Sequence, residues 1–201
     1  MNEFQELERQ FYEIQPKSDN YLREFLSNAK VEVVRKIISK GALFNLRLFE
    51  IQRAGFEVGK ELKVLPKSIK NTHVYYFDGD DKVVMMEVYG QSESVVNKEF
   101  FFYGEGRIKS MYFDSGGAVR NIATSTVVDG KVLQDVNFGK YGCSVSDYLY
   151  EDAELKSISV RQKQHDQEVF STYQVLFEYL DGKVVKVVNL FPNGYQELRY
   201  P

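Results

Sequence analysis

The residues best equipped for nucleophilic catalysis are one cysteine and two histidines. Cys143 is the only cysteine of the chain, and His73 and His165 are the only histidines. A thiol nucleophile needs a base within hydrogen-bonding reach, but His73 lies in a predicted strand and His165 follows a polar stretch. One cysteine and two histidines are also too few for a Cys/His zinc site. We therefore interpret Cys143 as an ordinary side chain and expect no metal or other cofactor.

Two short motifs have some features of ligand-binding loops but not their spacing. Asp78-Gly79-Asp80-Asp81 has the acids of a calcium loop without its alternating order or its final glutamate. Gly104-Glu105-Gly106 is a fragment of a dinucleotide motif, with Lys109 at the position of the third glycine. Acids for a glycosidase are plentiful, but they lie in turns, and the chain has no tryptophan for sugar stacking. The sequence thus predicts a protein that is not an enzyme.

Composition favours a β-rich fold. The 201 residues are 43% hydrophobic and 27% charged, which is typical of a soluble globular protein. Fifteen phenylalanines and 14 tyrosines, with 14 glycines and only 4 prolines, indicate strands joined by tight turns. A chain of this length buries enough surface to fold as one domain without a disulfide.

The first residues indicate a cytoplasmic protein. Residues 1–8 are acidic and lack the basic and apolar regions of a secretory signal. No apolar run approaches the ~18 residues that a membrane-spanning helix requires. A single cysteine suits a reducing compartment. We expect cytoplasmic localisation and no membrane partner.

Charge is distributed unevenly along the chain. Residues 1–72 hold 13 basic and 10 acidic residues, whereas residues 73–201 hold 13 basic and 19 acidic ones. Because a phosphate backbone requires a basic surface, the C-terminal part is a poor candidate for binding nucleic acid. It is a better candidate for a basic protein partner.

The N-terminal part, residues 1–41, is predicted to be helical. Residues 3–14 carry an apolar stripe at helical spacing, and Pro16 ends that helix. Ser18-Asp19-Asn20 supplies caps for a second helix from Tyr21. Residues 33–38 either continue this helix or, because they are rich in β-branched side chains, form a strand.

After Gly41 the pattern changes, and residues 43–201 are predicted to form the β-sheet of the same domain. Residues 43–49 alternate in a way that predicts a strand with apolar contacts on both faces. Phe100-Phe101-Phe102-Tyr103 also points rings to both faces. We expect the N-terminal helices to cover one of them.

Five hairpins are the clearest pattern in residues 73–201. Each has a β-rich run, a short turn of acids and glycines, and a second β-rich run; the turns lie at 78–81, 104–106, 129–130, 151–154 and 181–182. Asp-Gly between such runs is a strong hairpin signal. The first apolar residue after each turn recurs at steps of 25, 24, 23 and 29, at Val83, Ile108, Val132, Leu155 and Val184. This near-constant step predicts an α+β fold in which N-terminal helices pack on a large antiparallel meander. It leaves open whether the sheet closes partly into a barrel.

Alternation assigns some side chains to faces of the sheet. One predicted face carries Tyr173, Val175, Phe177 and Tyr179. In an earlier strand, Val132, Val136 and Phe138 are predicted to share a face, opposite Asp135 and Asn137.

Carboxylates should gather at one end of the sheet, because an antiparallel meander returns to the same end every two strands. Their residues, the acidic rim, are Asp78, Asp80, Asp81, Glu105, Asp129, Glu151, Asp152, Glu154 and Asp181. Tight turns favour Asp and Gly for structural reasons alone. The functional interpretation is that the acidic rim, flanked by exposed tyrosines, docks a basic partner.

Several segments resemble known bacterial proteins. Glu61-Leu62-Lys63-Val64-Leu65-Pro66-Lys67-Ser68-Ile69, leading into Thr72-His73-Val74-Tyr75-Tyr76-Phe77-Asp78 and the hairpins, resembles small β-rich immunity proteins encoded beside contact-dependent or other polymorphic toxins. Phe102-Tyr103-Gly104-Glu105-Gly106-Arg107-Ile108 and Tyr179-Leu180-Asp181-Gly182-Lys183-Val184 are similar to tyrosine-rich YD or MORN-like repeats. The resemblance spans most of residues 60–201. It implies a cytoplasmic, non-catalytic protein that binds a toxin domain, often a nuclease, and blocks its active site.

The alternative is a small-molecule or carbohydrate-binding, or carbohydrate-active, protein that uses the concave face of the sheet. A deep apolar cavity with a few convergent polar groups would favour that alternative. A filled interior with an acidic, aromatic outer patch would favour a protein partner.

Overall fold

Consecutive β-hairpins dominate the computed structural model, which describes residues 3–201. Two helices come first, α1 (Glu3–Ile14) and α2 (Ser18–Glu32), joined by a 3-10 turn at Gln15–Lys17; a short helix α3 (Glu50–Arg53) comes later. The strands are β1 (Arg35–Lys40), β2 (Lys60–Leu62), β3 (Thr72–Phe77), β4 (Val83–Tyr89), β5 (Val96–Gly104), β6 (Arg107–Phe113), β7 (Val119–Val128), β8 (Lys131–Gly139), β9 (Gly142–Glu151), β10 (Glu154–Gln164), β11 (Ser171–Leu180), β12 (Lys183–Leu190) and β13 (Gln196–Tyr200).

All of these strands belong to one antiparallel sheet, and the predicted meander is confirmed. Strands β3 to β13 lie side by side in chain order, while β1 pairs with β3 and β2 pairs with β1. Strands β2 and β13 each have one neighbour and form the two edges. The sheet is therefore open and does not close into a barrel.

The turn residues explain why the hairpins form where the sequence places them. Asp129 and Gly130 both have positive φ, of 51° and 75°, and Asp181 and Gly182 have 51° and 71°. These values suit the primed turns that match the twist of paired strands. The local Asp-Gly pairs thus set the positions of two hairpins.

A tyrosine latch recurs beside these turns. The hydroxyl of a tyrosine near the end of one strand donates to the carbonyl oxygen of the first apolar residue after the turn of the preceding hairpin. The three latches join Tyr103 to Val83, Tyr150 to Val132 and Tyr179 to Leu155, each at 2.9 Å. Burial raises the pKa of Tyr103 to about 12, so this phenol remains a donor at neutral pH. The latch thus recurs at three of the five positions that define the sequence repeat, Val83, Val132 and Leu155.

The N-terminal helices differ from the prediction at two points. Helix α1 has the predicted bounds, but α2 begins at Ser18 and not at Tyr21, directly after the 3-10 turn that contains Pro16. The Ser18 hydroxyl donates to the Gln15 carbonyl oxygen at 2.9 Å and so stabilises this junction. Residues 35–40 form strand β1, so the N-terminal part is not helical throughout.

One face of the sheet, called the helix face, bears Phe100 and Phe138 and packs against α1 and α2. Phe11 of α1 lies 5.5 Å from Phe138, between ring centroids. Phe25 of α2 lies 5.5 Å from Phe100 and 5.0 Å from Phe102. The prediction that the helices cover one side of the 100–103 run is confirmed.

The other face, called the loop face, bears Tyr75 and Phe177 and is covered by residues 43–53. The predicted strand at 43–49 is wrong, because this segment has no strand partner and Phe49 has a φ of 53°. Its apolar side chains pack on the sheet surface instead. Phe44 lies 5.0 Å from Tyr75, and Phe49 lies 5.2 Å from Phe177.

Residues 43–53, which we call the covering segment, require the sheet to curl. From residue 43 to residue 49 the chain spans at most about 22 Å. It nevertheless joins contacts on β3 to contacts on β11, which in a flat sheet would lie about 38 Å apart. Because side chains stand roughly perpendicular to a sheet, the strands must bend around the segment. The apolar part of the loop face is thereby covered by residues of the chain itself.

A β-bulge corrects one predicted face. Register shifts between Thr126 and Val127, opposite Val132 and Gln134. Val136 and Phe138 pack with the helices, whereas Val132 packs in the cluster on the loop face. The extra residue in the bulge reverses the alternation, so Val132 does not share a face with Val136.

Candidate partner-binding surface

The five predicted turns lie at one end of the sheet. Each connects an odd-numbered strand, from β3 to β11, to the next strand, and these strands are neighbours in an antiparallel order. The whole acidic rim is therefore brought to this end. The turns at 90–95, 114–118, 140–141, 165–170 and 191–195 lie at the opposite end.

Some acids of the rim have local structural roles. An Asp78 carboxylate oxygen accepts from the backbone N–H groups of Asp80 and Lys82, at 2.9 Å each, and so closes its own turn. Asp81 pairs with Arg35 at 2.9 Å. These contacts are the structural role that turn chemistry predicts for aspartates.

Other acids of the rim project freely. Within residues 3–201, the side chains of Glu105, Asp129, Asp152, Glu154 and Asp181 have no ion-pair or hydrogen-bond partner. These carboxylates are available to an incoming partner.

Basic residues lie between the acidic turns of the rim. The sequence-based prediction did not include them. The basic residues directly beyond the turns are Lys82, Arg107, Lys131, Lys156 and Lys183. Lys82 lies over the ring of Tyr103 at 5.6 Å, and Lys131 lies over Tyr150 at 5.1 Å. With Arg35, which pairs with Asp81, six bases against nine acids still leave the turn end negative. The signal was present in the sequence, since most of these bases directly follow a turn.

Exposed apolar side chains accompany the acids at the turn end. Leu149 is 59% exposed and Leu180 is 64% exposed, each close to a rim turn. The other exposed apolar residues near the turns are Phe102, Tyr103, Val128, Leu133 and Val185. We call the acidic rim together with these seven residues the turn-end surface. Scattered exposed apolar residues are ordinary, but a group beside unpaired charges is typical of interaction sites.

A buried ionic cluster holds the covering segment on the loop face. Arg47 donates to the Glu99 carboxylate at 2.8 Å and to the Ser110 hydroxyl at 2.6 Å. The Glu99 carboxylate raises the pKa of Arg47. Burial raises the pKa of Glu50, which lies 3.7 Å from Arg47. The charged groups of this cluster pair with one another, so we assign the cluster a structural role.

A second set of contacts ties α3 to the C-terminal strands. Arg53 donates to the Tyr148 hydroxyl at 3.2 Å, Tyr148 donates to the Asp135 carboxylate, and Arg199 donates to the Arg53 carbonyl oxygen at 3.0 Å. Burial raises the pKa of Tyr148, so the phenol keeps its proton. A cavity of about 450 Å³ beside these groups is lined by Arg47, Glu50 and the two other arginines.

The candidate nucleophile lies in a core environment. Cys143 is 5% exposed and packs in the cluster under the helices, and burial raises the pKa of its thiol. The His165 imidazole Nε2 lies 2.7 Å from the Gly139 carbonyl oxygen. His73 is buried on the other half of the sheet, on β3. A thiol held protonated by burial is a poor nucleophile.

Within residues 3–201, no group of three His, Cys, Asp or Glu side chains is placed to hold a metal ion. Over the same residues, no helix is both long enough and apolar enough to cross a bilayer.

A polar cleft of about 760 Å³ opens on the loop face towards the opposite end. Its floor and walls include Tyr112, Asn121, Asn137, Tyr141, Ser144 and Gln162. The sequence reasoning assigned none of these residues to a site. Alternation places Asn137 on the face opposite Val136 and Phe138, but its neighbours in the cleft come from strands whose register the sequence does not reveal.

Comparison with known proteins adds no identification. No protein-family model matches the chain, and no curated protein is significantly similar to it. Function must therefore be inferred from the surfaces described above.

Proposed function

We propose that this chain is a non-catalytic protein-binding module that docks a basic partner on its turn-end surface. The observation that supports the proposal is the convergence of five acidic turns at one end of the sheet, beside exposed apolar side chains. The covered apolar part of the loop face supports it too, because residues 43–53 occupy the position that an apolar ligand would take.

The two kinds of residue have separate roles in this proposal. Unpaired carboxylates such as Asp129 and Asp181 accelerate the encounter with a basic surface and limit the choice of partner. Exposed side chains such as Leu149 and Leu180 supply affinity once water is excluded. A rim that is negative but contains lysines favours a partner with interleaved charges.

We further propose that the basic partner is a bacterial toxin domain and that binding neutralises it in the cytoplasm. This step rests on the resemblance of residues 61–78 and the hairpins to immunity proteins. A nuclease is a suitable target, since its active site must be basic to hold a phosphate backbone. An acidic surface placed over that site would repel the substrate.

The decisive experiment tests whether the neighbouring reading frame encodes a small basic protein that co-purifies with this chain, and measures the association of the two. The test variant is Asp129→Asn/Asp152→Asn/Asp181→Asn, which removes three charges at positions of positive φ that asparagine also tolerates. We expect the association rate constant at low salt to fall about tenfold. The matched control is Glu93→Gln/Asp166→Asn/Glu168→Gln, which removes three charges from the opposite end and should leave the rate unchanged.

Two results would contradict the proposal. One is that the rim variant and the control variant change the association rate constant by the same factor. The other is the lack of any interaction between the purified chain and that neighbouring protein, in binding or in protection of cells from it.

A further inference from the structure

Several polar side chains that line the cleft have no hydrogen-bond partner among residues 3–201. On the loop face, Asn137, Ser144, Gln162 and Ser171 occupy directly paired positions on β8, β9, β10 and β11. Apolar side chains fill the same face nearer the turn end, for example Ile158 and Val175, which are nearly inaccessible. The change from apolar to polar residues along the same strands marks a distinct surface.

These paired positions form a row of hydrogen-bonding groups. Adjacent strands lie about 4.8 Å apart, a spacing close to the repeat of sugar units in an extended oligosaccharide. Hydroxyl groups and carboxamides can each donate and accept. The row thus offers both functions to each successive unit of a polyhydroxylated ligand.

Most of this capacity is unused within the described chain. Among residues 3–201, the side chains of Ser144, Gln162 and Ser171 have no hydrogen-bond partner. The Asn121 amide donates to the Asn137 carbonyl oxygen of the side chain at 2.7 Å, which leaves the Asn137 amide group free to donate.

The charges of the cleft are only partly neutralised within it. Arg120 pairs with Asp114 at 2.5 Å and donates to the Tyr141 hydroxyl at 3.1 Å. Lys140 and Lys163 also line the cleft; Lys140 lies over the Tyr141 ring at 5.6 Å, and Lys163 lies over the Phe170 ring at 5.2 Å. The row of paired positions itself carries only amides and hydroxyls, which suit a neutral ligand.

Two tyrosines give the cleft aromatic surfaces. Tyr112 is half-buried in the floor, and Tyr141 is 68% exposed at the rim. An amphipathic ring can pack against the C–H face of a sugar while its hydroxyl remains hydrated. The volume of about 760 Å³ lies within the range of roughly 300–1,000 Å³ typical of small-molecule sites.

We propose that the polar cleft binds a neutral oligosaccharide of two or three units, with Asn137, Ser144 and Gln162 as the hydrogen-bonding row and Tyr112 and Tyr141 as stacking surfaces. This site lies away from the turn-end surface. The two surfaces share no residue.

The test begins with an array of neutral and acidic glycans on which binding of the protein is measured. Maltotriose, triacetylchitotriose and the neutral glycans that bind on the array are then titrated in solution. Gln162→Ala is the first variant because Gln162 is exposed and its truncation should leave folding intact. Asn137→Ala is the second. The matched control is Gln174→Ala, which removes an exposed glutamine from the helix face of the same sheet.

We expect at least one neutral glycan to bind. Each cleft variant should raise the Kd for that glycan about fivefold, which is the change expected from the loss of one hydrogen bond between neutral groups. Gln174→Ala should bind as the natural chain does, and Gln162→Ala should still bind the protein partner. The proposal is overturned if no neutral glycan binds, if only acidic glycans bind, or if Gln174→Ala weakens binding as much as the cleft variants.

Discussion

Arg47, in the covering segment, donates to the Glu99 carboxylate on β5 at 2.8 Å, and the Glu99 side chain is only 8% exposed. The pair joins the covering segment to the centre of the sheet. Removing both charges from water costs free energy, so the pair contributes to stability only if its hydrogen-bond geometry is good. The Ser110 hydroxyl, 2.6 Å from Arg47, completes the arrangement.

Arg47→Met should destabilise the protein by about 3–5 kcal/mol, because it leaves the Glu99 carboxylate buried without its partner. Urea unfolding followed by circular dichroism measures this. Arg47→Met/Glu99→Gln removes both charges and should be more stable than Arg47→Met alone. The control Arg161→Met breaks an exposed pair with Asp147 and should cost less than about 1 kcal/mol. Equal losses for the buried and the exposed pair would show that the cluster does not hold the segment.

Tyr179→Phe should cost about 1 kcal/mol in the free energy of unfolding, since it removes one hydrogen bond to the Leu155 carbonyl oxygen while keeping the ring. Tyr150→Phe should cost a similar amount through Val132. Tyr195→Phe is the control, because Tyr195 is 61% exposed and lies in a turn at the opposite end. If all three variants unfold at the same urea concentration as the natural chain, the latch contributes no stability.

Local signals explain what could be predicted from the sequence. The hairpins depend on turn residues such as Asp129 and Gly130, whose preferences act over a few residues. The antiparallel order then follows because consecutive hairpins pair with their neighbours. The position of the acidic rim at one end is a direct consequence of that order.

Long-range contacts explain what could not be predicted. Residues 43–49 have the alternation of a strand, but their apolar groups are satisfied by the sheet surface. The bulge that turns Val132 to the loop face is not visible in alternation alone. The row of Asn137, Ser144 and Gln162 exists only once the register is known. Its members are far apart in the chain and carry no local motif.

Gly142→Ala should destabilise the protein by about 2 kcal/mol or more, because overpacking at a rigid neighbour displaces backbone. A methyl group at Gly142 would lie 2.2 Å from the Lys163 carbonyl oxygen on the adjacent strand. Gly104→Ala is the matched control, since a methyl group there meets no atom within 4 Å. Thermal unfolding of the two variants measures the difference. A Gly142→Ala melting temperature equal to that of Gly104→Ala would contradict the close approach of β9 and β10.

His73 should make stability depend on pH in the weakly acidic range. Burial lowers its pKa below the ordinary value of 6.5, and its buried Nδ1 atom has no hydrogen-bond partner within residues 3–201. Between the folded-state pKa and 6.5 the unfolded chain therefore binds more protons than the folded chain. Stability is fully present above pH 6.5 and is lost as the pH falls below that value, levelling off beneath the folded-state pKa.

The measurement is the free energy of unfolding across this range for the natural chain, His73→Gln and His165→Gln. His73→Gln should flatten the part of the slope that begins near pH 6.5, whatever its effect on stability at neutral pH. His165→Gln, an exposed position in a turn at the opposite end, should retain that slope. The same slope in the natural chain and in His73→Gln would mean that other groups cause the acid sensitivity. Because the buried imidazole stacks on Tyr75, 6.1 Å away between ring centroids, its protonation would loosen the half of the sheet that anchors Leu43 through the Tyr75 hydroxyl.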